Sequence, residues 1–153
     1  MTWTDPNLVN WDVGDPITSA DMKAYVRDNL LELKDPPSAE YTLNETSDYT
    51  TTSTTFVDVD STNLALTINT NGGDVLVVFN GSFKCSQSMK ISLDIEVDGT
   101  RHAGDDGLIQ HGVYNSAAAS QPSISFVYLI KDLEAGSHTF KLQWKVNTGT
   151  GTL

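Results

Sequence analysis

The sequence predicts an all-β fold, a jelly-roll β-sandwich of about eight short strands preceded by an extended N-terminal arm and one short α-helix. Three observations carry that expectation. From Tyr41 onward the apolar residues recur with a period of two, in runs separated by turn signals. Residues 17–34 repeat with a helical period instead, and they carry a start and a stop. Residues 1–16 show neither period, although they hold Trp3 and Trp11. The expected division is an attachment arm over 1–37 and a head domain over 38–153.

The helix is the best-punctuated element. Thr18 can cap its N-terminus, and Asp21 three residues on completes a capping box, weaker than the Glu form because Asp is shorter. Ile17 and Met22 stand at the staple positions. Lys34 suits the negative C-terminal end, and Asp35-Pro36-Pro37 stops the helix. At about 100° per residue, Met22, Tyr25, Val26, Leu30 and Leu33 share one face, with Asn29 near its middle and Leu31 opposite. A helix this short is marginal alone in water, so the face must land on something. Asn29 reads equally well as a buried amide that fixes register between helices and as the solvent edge of the stripe, beside an exposed Arg27–Asp28 pair. In the arm, Trp3 and Trp11 are anchor-type side chains on a polar tail. They are expected to meet another chain rather than fold back on their own sheet.

The head follows in order. Thr50–Val59 is rich in β-branched residues, and Leu64, Leu66 and Ile68 alternate with smaller neighbours. Asn71-Gly72-Gly73-Asp74 reads as a turn, because its glycines accept φ > 0. Val75–Phe79 (VLVVF) is continuously apolar, as expected of a strand covered on both faces. Gly81 suggests a bulge or a close backbone approach. Met89–Val97 is amphipathic: Ile91, Leu93, Ile95 and Val97 point inward, whereas Lys90, Ser92, Asp94 and Glu96 point outward, Asp94 and Glu96 in a solubilising role. Asp98-Gly99 is a primed hairpin turn. Residues 101–121 read as loop with one short strand near 108–114. Ser123–Ile130 and Thr139–Val146 close the set around a turn at Leu133–Ser137, with Phe140, Leu142, Trp144 and Val146 inward.

Composition excludes several functions. Twenty acids against nine bases give a net charge of −11, with eight acids and three bases in residues 1–40 and twelve and six in the rest. Phosphate binding needs clustered Lys and Arg; here only Lys141 and Lys145 share a strand, so nucleic acid is not an expected partner. No run of 18 apolar residues exists and the start lacks a secretory pattern, so neither membrane insertion nor a signal peptide is expected. Cys85 stands alone and reads as a small half-buried residue.

Chemistry finds no motif. His102, His111 and His138 lack zinc spacing, and the acidic turn at Asp105-Asp106 lacks the calcium-loop pattern. No nucleophile elbow occurs and no carboxylate pair can be assigned. No enzyme activity and no cofactor or metal are expected.

Trp11-Asp12-Val13-Gly14, then Ile17-Thr18-Ser19-Ala20-Asp21-Met22, then Val26-Arg27-Asp28-Asn29-Leu30 resembles the N-terminal arm of certain tailed-bacteriophage virion proteins. Gly73–Phe79, Asp94–Arg101 and Leu133–Leu153 look like the heads that accompany such arms, which are similar to trimeric jelly rolls of the tumour necrosis factor and complement-globular type. The Ala-Gly-Ser-His-Thr-Phe run entering the last long strand is the most telling piece. The resemblance implies a non-enzymatic virion component, a homotrimer on the particle surface. Its arm would hold other virion proteins through Trp3, Trp11, Ile17, Met22, Tyr25, Val26, Arg27, Asp28, Asn29, Leu30 and Leu33. No fibrous shaft separates arm from head. A short tail fibre or tail-tip protein touching a host glycan or protein leads, and a capsid decoration protein is the alternative. A carbohydrate-binding module, stacking sugars on Tyr114, Tyr128 or Trp144, is the remote one; Trp144 alternates with Phe140 and Leu142, which favours core.

Overall fold

The structure, a computed structural model, describes residues 16–42, 48–85, 88–113 and 121–153. Trp3, Trp11 and Tyr114 lie outside the described residues. The chain divides into two compact units, Met1–Ser38 and Ala39–Leu153.

The first unit holds the helix, with Thr18 as N-cap and helical residues from Ser19 to Lys34. It is not the uniform α-helix expected over 17–34. One turn of α1 (Ser19–Asp21) leads into a π-helical segment, Met22–Asp28, and then into α2 (Asn29–Lys34). The Asp35 N–H still bonds the Leu31 carbonyl at 3.1 Å, and the prolines follow.

The second unit is mostly β, with every ladder antiparallel, in two sheets consistent with a sandwich. The small sheet orders β1 (Thr50–Thr51), β9 (Gly151–Thr152) and β4 (Lys84–Cys85). The large one runs β2 (Val57–Asp58), β8 (Ser123–Val146), β5 (Met89–Val97) and β6 (Thr100–Arg101), with β3 (Ala65–Ser82) also on β8 and β7 (Ile109–Val113) also on β5. Among the described residues two strands are long and five have only two residues, so the set of short strands expected from the sequence gives way to one long ladder.

That ladder corrects two turn assignments. Neither Asn71–Asp74 nor Leu133–Ser137 reverses the chain. β3 runs straight through the first and β8 through the second, and the two segments face each other, with Asn71 opposite Ala135 and Gly73 opposite Leu133. The register shifts between Gly73 and Val75; Gly72, Gly73 and Asp132 have φ of 88°, 103° and 54°. Positive φ serves a bulge as well as a turn, and here it bends a continuous ladder. The bend is large. A straight strand would place Ile124 about 66 Å from Trp144, yet both belong to one buried cluster with Phe83, Met89, Ile91, Leu93 and Val146. Val75, Val77, Phe79, Phe126, Tyr128 and Ile130 thus pack on the same core as Ile95, Val97, Phe140 and Leu142.

The central strands match their patterns. Ile91, Leu93, Ile95 and Val97 are buried, as are Phe140, Leu142, Trp144 and Val146. Asp98 (φ 50°) and Gly99 (φ 85°) make the tight turn that pairs Val97 with Thr100. β9 reaches this core through Gly151, where an added Cβ would stand 2.8 Å from Val146 Cγ1 and 2.9 Å from Ile91 Cδ1. At Gly81 an added Cβ would stand 2.7 Å from the Phe79 ring, so what comes close there is a side chain and not the second backbone that its glycine suggested.

The outward side of β5 is a correction. Lys90 is exposed, but Ser92 and Asp94 are buried, so Asp94 does not serve solubility. The cover is polar. Lys141 Nζ stands 3.2 Å from Asp58 and 3.3 Å from Glu96, and the Gln143 amide donates to both carboxylates. Beside them the Phe56 ring takes the Arg101 guanidinium at 4.0 Å and Lys145 Nζ at 4.8 Å.

Candidate interaction surfaces

The helix carries its own start signal. The Thr18 N–H donates to Asp21 Oδ2 at 2.9 Å and the Asp21 N–H to Thr18 Oγ1 at 3.2 Å, a complete capping box. The Thr18 hydroxyl also donates to Asp21, which holds that carboxyl below the usual range. With its end satisfied, the helix leaves its apolar side chains outside: Ile17, Met22, Val26, Leu30 and Leu33 are 61, 49, 42, 59 and 68 % exposed. Tyr25 is half-buried and Leu31 is just exposed.

Asn29 is the exception, buried at 5 % exposure, which removes the solvent-edge reading. Its side-chain amide donates to the Tyr25 carbonyl at 3.3 Å, while its backbone N–H bonds Val26 O. The amide thus serves a backbone carbonyl where the π-helical turn gives way to α2. Wide turns of this kind are rare and are frequent at functional sites. Arg27 sits beside, donating from Nε and Nη2 to Asp28 Oδ1 at 2.9 and 2.6 Å, a surface pair with the Arg side chain 55 % exposed.

A second apolar surface was missed by the sequence reading. On the bent half of the ladder, Leu76, Val78, Val127 and Leu129 are 59, 66, 65 and 43 % exposed. They are cross-strand neighbours, Leu76 opposite Leu129 and Val78 opposite Val127. The continuous apolar run VLVVF was the available signal: one face of it packs on the core and the other is bare.

The polar groups among the described residues are placed as follows. His138 Nδ1 lies 2.7 Å from Asp98 Oδ2, the start of a relay, but its Nε2 lies 2.9 Å from the Glu134 carbonyl rather than from a nucleophile. Both ring nitrogens therefore face acceptors, which raises the histidine pKa, the Asp98 bond being the larger cause. Asp98 in turn is held low by the Thr139 N–H and by His138. His111 stands edge-on to Phe83 and His102 edge-on to Tyr128. Asp106 accepts from the Gln110 amide at 2.8 Å, and Trp144 is core. Burial pushes the Cys85 thiol pKa up, making it a poor nucleophile. Among the described residues no group of three His, Cys, Asp or Glu side chains could hold a metal ion, and no helix is long and apolar enough to cross a membrane.

Asp94 is the one buried side-chain polar atom left over among the described residues. Its Oδ1 accepts the Ile95 N–H at 2.8 Å, whereas Oδ2 has no hydrogen-bond partner and lies 3.7 Å from Arg101 Nε. Desolvation raises its pKa against the opposing pull of the Ile95 N–H, Arg101, the Ala103 backbone and His102. The fold and these surfaces together define an antiparallel β protein with two uncovered apolar faces. No protein-family model, curated protein or solved structure matches the chain.

Proposed function

We propose that this chain is a non-enzymatic structural protein of a tailed-bacteriophage virion. In this reading it is a homotrimer of jelly-roll heads, anchored by the N-terminal arm and acting as a short tail fibre or tail-tip protein that contacts the host surface. The observation that supports it most is the helix, capped at its start and stopped by prolines, with Met22, Val26, Leu30 and Leu33 exposed. Such a face is stable only against a partner. The residues that resemble phage arms, Trp11 to Gly14 and Val26 to Leu30, lie on or just before this same helix. The acidity of the chain suits a protein present in many copies, since like charge keeps copies soluble.

The test is the particle. Quantitative mass spectrometry of purified virions should find this chain in tens of copies or fewer. Its absence from particles would overturn the virion reading. Hundreds of copies would overturn the tail position and make it a capsid decoration protein.

A further inference from the structure

The bent half of the β3–β8 ladder has two faces of different fate. Its inner side chains pack on the core. Its outer face runs through four cross-strand pairs: Leu76 with Leu129, Val78 with Val127, Asn80 with Ser125 and Ser82 with Ser123. None of the eight carries a charge, on a chain whose net charge is −11. The charges that follow along the strands, Asp74 and Lys131, are of opposite sign, and Asp74 Oδ1 accepts the Asp132 N–H at 3.1 Å.

We infer that a second copy of this chain packs on this face, ladder against ladder. The inference goes beyond the proposed homotrimer, because a two-fold contact joins copies in pairs and does not itself close a ring of three. Three considerations select a second copy over a foreign partner. Copies carrying −11 each repel one another, so they can meet closely only where charge is absent, and this face is such a place. A basic foreign protein would find nothing here to pair with. The pairs are also like with like. Turning a second ladder over about an axis along the strands sets leucine on leucine and valine on valine, the self-complementarity that an isologous contact requires. The size is adequate as a core. The four apolar side chains expose roughly 350–400 Å², near the largest patch of an ordinary monomer. That is about half of the ~800 Å² per partner in a standard interface, leaving the rest to the Asn and Ser pairs and the flanks.

The test is the mass of the full chain in solution, by light scattering and sedimentation at about 100 µM. The unsubstituted chain should weigh an even multiple of its 16.6 kDa. Val127→Lys should fall to half that mass with an unchanged melting temperature, because Val127 is 65 % exposed in the single chain. Val78→Lys should do the same. A single-chain or three-chain mass for the unsubstituted protein overturns the inference, as does an oligomer whose mass survives both lysines. An oligomer lost in Leu30→Asp but kept in Val127→Lys assigns the contact to the helix and also overturns it. Particle incorporation is scored separately. An oligomer that never enters virions sinks the virion reading alone, and an incorporated protein whose mass ignores both lysines sinks this inference alone.

Discussion

Replacing Leu30 by Asp separates docking from folding. Leu30 is 59 % exposed in the chain, so more than half of its burial is still to be gained. Full burial of a leucine is worth roughly 1.5–3 kcal/mol, which leaves about 1–2 kcal/mol for the partner to collect. An aspartate there also brings a charge into an apolar contact, and desolvating it without a counter-ion adds at least about 2 kcal/mol. The sum, roughly 3–4 kcal/mol, weakens attachment by more than about 100-fold. Inside the chain the same change costs about 0.5 kcal/mol of helix propensity and no core contact. Particles made with the variant should therefore lack it, while its circular-dichroism melt shifts by only a few degrees. A melting drop of ten degrees or more, or unchanged incorporation, would refute the assignment of this face to a foreign partner.

Other consequences follow from single contacts. Gly107 has φ +73°, and a Cβ there would stand 2.5 Å from the Leu93 carbonyl oxygen, so Gly107→Ala should cost about 2–4 kcal/mol in denaturant titration. Gly104→Ala, with nothing within 4 Å, is the control and should be near neutral. Asp94 holds its proton more tightly folded than unfolded, so the native chain loses stability as pH rises from 3.8 through the raised folded value. Asp94→Asn should remove that loss, and its stability relative to the native chain should improve between pH 3 and pH 7. Asp98 is lowered by the Thr139 N–H first and His138 second, and His138 is raised by Asp98, so their mutual support is full between the ordinary values of 3.8 and 6.5. It fades as pH rises through the folded histidine value. The melting difference between the native chain and His138→Gln should be largest near pH 5 and shrink by pH 9.

How much of this was legible depends on the range over which each residue's environment is set. The alternation of Met89–Val97 and of Phe140–Val146 gave their buried faces correctly, because a strand's two sides are fixed by adjacent residues. Asp98-Gly99 likewise encodes its turn locally. Asn71–Asp74 and Leu133–Ser137 were misread because positive φ is common to turns and bulges. Only the pairing of the two segments, some sixty residues apart, decides between them. Asp94 was misread for the same reason: the Arg101 that shields it turns back from the next strand, and the Phe56 ring stacked on that Arg lies far upstream. The capping box was written in four residues and is present, while the π-helical turn within the helix left no mark in its periodicity.

The apolar faces show a different boundary. The helix stripe was visible as a pattern, and the structure leaves it uncovered. The run Val75–Phe79 demanded cover on both sides, and one chain provides only one. Strand propensity does not explain the outward half, for threonine keeps the β-branch and welcomes water, and this chain uses it freely from Thr50 to Thr55. Asn80, Ser82, Ser123 and Ser125 show that the same ladder accepts polar residues facing out. Leucine and valine at 76, 78, 127 and 129 therefore answer to a surface beyond the single chain, because exposing four adjacent apolar side chains to water has no return within it.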